Sequence, residues 1–174
     1  MYCYIITFYV SIHLFMANHM GFQAPTHDHK RCVSSALENA EEKSRVLGLR
    51  FTKTRRKVLE VLWQSHNPLG AYEILDRLQK DGRRPAPMVV YRALDFLLEA
   101  GLAHKISSCK TFIGCSTPDE NHEAQFLICE SCGSAAEVAG QPLAEALEKT
   151  AASAGFKINQ RVVEIIGVCP NCQA

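Results

Sequence analysis

Two Cys-x-x-Cys pairs, Cys129/Cys132 and Cys169/Cys172, constrain this chain more than any other feature, because its fold must join them across the 36 residues between. Zinc is held by four thiolates at about 2.3 Å in a tetrahedron, and a two-residue spacer lets each pair reach one ion from a single tight turn. Both segments carry turn-forming residues, with Gly133 just after the first pair and Pro170-Asn171 inside the second. A lone redox-active pair would not need a second. The other cysteines, Cys3, Cys32, Cys109 and Cys115, show no spacing of a disulfide framework. The expectation is a closed structural zinc site on Cys129, Cys132, Cys169 and Cys172, in a reducing cytoplasm.

The overall charge of +1 hides a division. Residues 45–110 hold 13 Lys/Arg against 6 Asp/Glu, whereas residues 111–174 hold 3 against 8. Such a split implies two domains with different partners, the basic one facing a polyanion. The run from Tyr2 to Met16 is apolar and aromatic, but it lacks a preceding Lys/Arg and a small-residue cleavage site, and it is too short to span a bilayer. The expectation is a mis-assigned start, with translation beginning at Met16 or Met20, and no membrane partner.

Residues 17–33 are polar and His-rich and read as a disordered leader, so that residues 1–33 lie outside the fold. From Ser34 a first helix ends near Gly48. Thr52 caps a second, with Val58, Leu59, Val61 and Leu62 at helical spacing, stopping before Asn67-Pro68. A third spans Ala71 to Lys80. Pro85 and Pro87 break the chain, and a fourth runs from Val89 to Ala100, burying Val90, Leu94, Leu97 and Leu98 and closed by Gly101. Two short strands, Leu102 to Ile106 and Thr111 to Cys115, complete the pattern of a winged helix-turn-helix. Beyond Pro118 follow strands over Ala124 to Ile128 and around Ala135 to Val138, a helix from Pro142 to Ala154, and a last strand within Lys157 to Val168. The fold class is α+β, with an N-terminal winged helix-turn-helix domain before a small α/β domain.

In a winged helix the last helix of the trihelical core enters the major groove of double-stranded DNA. Tyr91 and Arg92 lie near its start, where Arg92 suits a bidentate guanine contact and Tyr91 a phosphate or thymine methyl. Lys53, Arg55, Arg56 and Lys57 are expected to clamp the phosphate backbone, with Arg83 and Arg84 ahead of the reader. Singly, each reads more readily as a solvated charge; together with the helix order they point to DNA.

Four candidate ligands remain: His104 and Cys115 on the wing strands, His122 in the connection, and Glu137 after the first Cys pair. A mixed nitrogen, sulfur and oxygen set suits zinc and disfavours calcium or magnesium. Taken alone, His104 reads equally as a surface histidine and Glu137 as a solvated carboxylate.

The stretch from Leu49 to Cys172 resembles the ferric uptake regulator superfamily, and within it the zinc-responsive branch. The resemblance is carried by Phe51-Thr52-Lys53-Thr54-Arg55, by Val90-Tyr91-Arg92-Ala93-Leu94-Asp95-Phe96-Leu97-Leu98-Glu99, by Gly101-Leu102-Ala103-His104-Lys105, and by Phe126-Leu127-Ile128-Cys129-Glu130-Ser131-Cys132-Gly133. It implies a dimeric, zinc-dependent repressor of zinc uptake genes that binds a palindromic operator. It further implies structural zinc on the Cys pairs and regulatory zinc on His104, Cys115, His122 and Glu137, two ions per chain. The implied domains are 34–116 for DNA, 117–123 as a hinge and 124–174 for dimerisation and zinc. Asn121-His122-Glu123 offers one histidine where the iron-responsive branch usually has a cluster. Val89 stands where the family often has Thr and offers no hydroxyl cap.

A peroxide- or iron-responsive regulator of the same superfamily is the nearest rival. A zinc-dependent hydrolase acting on a small-molecule substrate lacks its His-Glu-x-x-His helix here, and Cys115 closes the position a water would need. The expectation is therefore a regulator with no catalytic residues.

Overall fold

A computed structural model of the chain describes residue 22 and residues 28–65, 67–79, 85–118, 124–138 and 140–173. The start at Met16 or Met20, the loop arginines Arg83 and Arg84, and the candidate ligand His122 lie outside the described residues. Four helices come first: α1 (His29–Val46), α2 (Lys53–Trp63), α3 (Ala71–Arg77) and α4 (Pro87–Glu99). The wing follows as β1 (Ala103–Ile106) and β2 (Thr111–Gly114), then β3 (Gln125–Cys129), β4 (Ala135–Val138), α5 (Gln141–Ser153) and β5 (Val163–Gly167), closed by a short 3-10 turn over Pro170–Cys172.

Helix α1 starts at His29, inside the segment read as a leader, because the Asp28 carboxylate accepts from the Arg31 amide and supplies an N-cap that apolar periodicity does not reveal. Helix α4 likewise starts two residues early. Pro87 is its first residue rather than a breaker, since that position has no intrahelical use for an amide hydrogen. Ala86 is then the cap position and Val89 the third helical residue, so the missing Thr hydroxyl removes no cap. Helix α3 ends at Arg77, three residues short of the expected Lys80, and the last strand occupies only Val163–Gly167 of the longer stretch.

The N-terminal core is built from one face of each helix: Leu37 and Ala40 of α1, Val58, Leu59 and Leu62 of α2, Ile74 and Leu75 of α3, and Val90, Leu94 and Leu97 of α4. Phe96 is also buried, whereas Leu98 is only partly so. At the end of α4 the Leu102 amide donates to the Leu97 carbonyl at 2.8 Å and the Gly101 amide to Leu98 at 3.0 Å. This reversal places Gly101 at φ +63°, where a side chain would be strained, and turns the chain directly into the wing. Strand β1 pairs antiparallel with β2, and a bridge from Leu69 to Phe112 ties the wing to the connection after α2.

The second sheet has the order β4-β3-β5, with β3 antiparallel to β4 and parallel to β5. Its interior is small: Phe126, Ala136, Cys129 and Cys169 are buried, while α5 buries no residue fully. Ile165, Ile166 and Val162 on or beside β5, and Phe156 before it, are exposed.

Candidate metal centres and nucleic-acid interface

Parallel pairing of β3 and β5 brings Cys129, which ends β3, beside the chain just past the end of β5. There the sulfurs of Cys129, Cys132, Cys169 and Cys172 all lie within 4.8 Å of one another. Gly133, at φ +73°, completes the first knuckle, and its amide bonds the Cys129 carbonyl at 2.9 Å. The Cys132 and Cys169 sulfurs are 3.8 Å apart. Four donors at about 2.3 Å around a tetrahedral centre stand about 3.8 Å from each other, so this donor set fits a thiophilic ion of that geometry.

The surroundings favour thiolates unequally. The Cys169 amide donates to the Cys129 sulfur at 3.3 Å, and with the Cys132 amide it brings the Cys129 thiol down to about 6. Cys132 is lowered by Ser134, whose hydroxyl stands 3.0 Å from its sulfur. Cys172, facing the sulfurs of Cys169 and Cys132, is pushed up to about 12. Without a cation the last proton is held chiefly by hydrogen bonding to the sulfurs of Cys169 and Cys132, with burial and the charge of Cys129 adding to it; a divalent ion would take the place of that proton.

A second cluster joins the two domains. His104 of β1, Cys115 just beyond β2, and Glu137 of β4 place one ligand atom each within 4.8 Å of the others. The His104 Nε2 and Glu137 Oε1 atoms are 3.0 Å apart, and the Glu137 side chain is 6% exposed. Cys115 is buried, its amide extending the wing ladder to the Leu102 carbonyl at 3.1 Å. The other carboxylate oxygen of Glu137 accepts from the Ser116 amide at 2.8 Å and hydroxyl at 2.7 Å, which orients the acid toward the wing. The His104 ring meets Phe126 edge-on at 5.8 Å. Nitrogen, thiol and carboxylate donors in a largely buried site suit a borderline-soft divalent ion. The structure thus brings together three of the four expected ligands.

On the basic face, Tyr91 and Arg92 are exposed near the start of α4, beside exposed Met88 and Val89. Lys53 and Lys57 are exposed on the first turns of α2. Arg55 and Arg56 are engaged within the chain, which sequence alone did not reveal. The Arg55 guanidinium lies 3.6 Å over the Phe96 ring and donates to the Arg50 carbonyl, and Arg56 pairs with Glu41 of α1. Asn67, absent from every motif, donates to the Cys132 carbonyl at 3.1 Å and so ties the first domain to the knuckle. Among the described residues no helix is long and apolar enough to cross a membrane.

The sequence matches the ferric uptake regulator family over residues 46–166. The chain belongs to the ferric uptake regulator family. As members of that family are transcriptional regulators, this chain is a regulator rather than an enzyme. It is 32% identical over 144 residues to the zinc uptake regulation protein of Escherichia coli (strain K12), covering 82% of this chain and 84% of that protein. Among solved structures of the family, a zinc uptake regulator complexed with zinc and DNA superposes with a TM-score of 0.76 at 32% identity, over 81% of this chain and 95% of that one. The holo form of XcZur gives 0.73 at 36% identity, over 80% and 97%. These likenesses establish the winged helix-turn-helix with its second domain.

Proposed function

We propose that this chain is a zinc-responsive repressor that binds palindromic operator DNA as a homodimer when its junction site is filled, controlling zinc uptake genes in the cytoplasm. The observation that carries the reading is the origin of the donors: His104 and Cys115 belong to the wing and Glu137 to the second sheet. His122 supplies the fourth donor from the connection between them. Bound zinc supplies a Lewis-acidic centre that these side chains satisfy together. Because they come from both domains, His104, Cys115 and Glu137 converge only when the wing is docked, so filling the site shifts the population toward that arrangement. A coupling of about 1–3 kcal/mol changes operator affinity about 5- to 150-fold.

The thiolate cluster holds the second, structural ion of each chain and stays filled, giving two per chain. Tyr91 and Arg92 read base edges, and Lys53, Arg55 and Arg56 approach the phosphate backbone; Arg56 must then exchange Glu41 for phosphate. Val162, Ile165 and Ile166, on or beside the edge strand β5, and Phe156 before it expose apolar side chains on both faces of that edge, which a second copy would cover, each contributing at most about 1.5–3 kcal/mol on burial. Two-fold symmetry matches two readers to two half-sites.

The test is metal content per chain together with duplex binding titrated in buffered free zinc. Two ions per chain and a steep gain in DNA affinity on filling the weaker site are expected. Equal affinity with and without the labile ion, or a response to ferrous iron alone, would overturn the reading.

A further inference from the structure

Two carboxylates stand in one row across the second sheet. Phe126 of β3 pairs with Glu137 of β4 and with Glu164 of β5, so the two acids flank that ring on one face. The wing rests on this face, with His104 against Phe126. Glu137 reaches Ser116, just past the strand end of the hairpin. Glu164 reaches its other end: one carboxylate oxygen accepts from the Ser107 amide at 2.6 Å and the other from the Ser108 amide at 2.9 Å, in the turn between β1 and β2. Beside the Glu164 contact lies a cleft of about 500 Å³ lined by His104, Lys105, Ser107, Phe126, Arg161 and Glu164 among others, so on this side apolar packing does not seal the wing to the sheet. Polar contacts at the two ends of the hairpin fix its position. Burial raises the Glu164 pKa, but the hydrogen bonds from Ser108 and Ser107 outweigh it and hold the carboxyl below its ordinary value.

We infer that Glu164 is a positioning residue, a metal-independent latch that holds the wing turn on the second sheet and sets how much zinc the junction site needs to lock the docked arrangement. This inference rests on the reading of that site as the zinc sensor. Glu164 lies outside both clusters of candidate ligands. In an equilibrium between docked and undocked wings, its two charge-assisted bonds favour the docked form before any ion binds, and their loss leaves zinc to supply the difference. Glu164→Gln keeps the shape but turns an amide donor toward backbone donors.

The experiment uses full-length protein with the thiolate cluster filled and a duplex selected on the zinc-loaded wild type. Glu164→Gln is expected to raise the free zinc at half-maximal DNA binding about 5- to 20-fold, with affinity at saturating zinc unchanged. In the wild type stripped of its labile ion, the Ser107 and Ser108 amides should be protected from hydrogen exchange, and the substitution should abolish that protection. An unchanged zinc midpoint, or a lower melting temperature with no shift in midpoint, overturns the latch. If the variant loses its thiolate zinc, rapid exchange at Ser107 and Ser108 in the stripped wild type overturns it instead. Wild-type DNA binding that ignores zinc defeats the sensor reading, while the exchange measurement still decides whether the latch exists.

Discussion

Gly114→Ala should loosen the wing at the point where it meets both the helical core and the junction site. A Cβ at Gly114 would lie 2.8 Å from Cδ1 and Cε2 of Trp63, and closer still to its Nε1. Ordinary carbon contacts begin near 3.5 Å, so either the indole or strand β2 must give by up to about 1 Å. Trp63 is a rigid ring at the end of α2, packed against the core, so the shift cannot be absorbed by a swinging side-chain tip. Overpacking of this kind costs about 1–3 kcal/mol. At about 2–4 °C per kcal/mol for a chain of this size, the melting temperature should fall by about 2–12 °C. Cys115 is the next residue, so the same displacement should weaken zinc at the junction while leaving the thiolate cluster filled. Trp63 is the sole tryptophan of the sequence, so its emission reports the site directly and should shift on substitution. Unaltered emission with a melting temperature within about 1 °C of wild type would refute the packing argument behind these magnitudes.

Cys115→Ser should abolish zinc-dependent DNA binding with little loss of fold, read by metal analysis and a duplex titration; a preserved zinc response would remove Cys115 from the sensor. Arg92→Ala should relax base preference at one position by about 1–3 kcal/mol, whereas Lys53→Ala should weaken all duplexes alike and flatten the salt dependence, and equal loss of discrimination in both would count against α4 as the reader. In metal-stripped protein at neutral pH, Cys132, exposed and with its thiol lowered by Ser134, should alkylate before Cys172, whose proton is held to about 12. Mass mapping of the labelled peptides checks that order, and the reverse order would contradict the electrostatics of the cluster.

Features encoded locally were legible in the sequence. The Cys pairs announce themselves by spacing, and the apolar faces of α2 and α4 by a 3.6-residue period that matches their burial. Boundaries set by a single polar contact were less so, as at Asp28 and Pro87, where a cap and a fixed φ decide the helix start. Non-local pairings were invisible. Nothing near Arg55 in sequence points to the Phe96 ring, and nothing near Glu164 to Ser107 and Ser108, more than 50 residues earlier. The candidate ligands were named by residue type, but only the sheet register explains why Glu137 faces the wing: it stands opposite Phe126, on which His104 packs.

The parallel pairing of β3 with β5 has a consequence for how the chain is made. Unlike the hairpin of β3 and β4, which closes as soon as both strands exist, β3 must wait for α5 and the crossover before its second neighbour is available. The two knuckles lie past the ends of those parallel strands, so the four-sulfur site they share cannot be completed until Cys172 has cleared the ribosome. During synthesis the winged domain can therefore fold first, leaving the metal-stapled half to assemble only after translation has passed its last thiol.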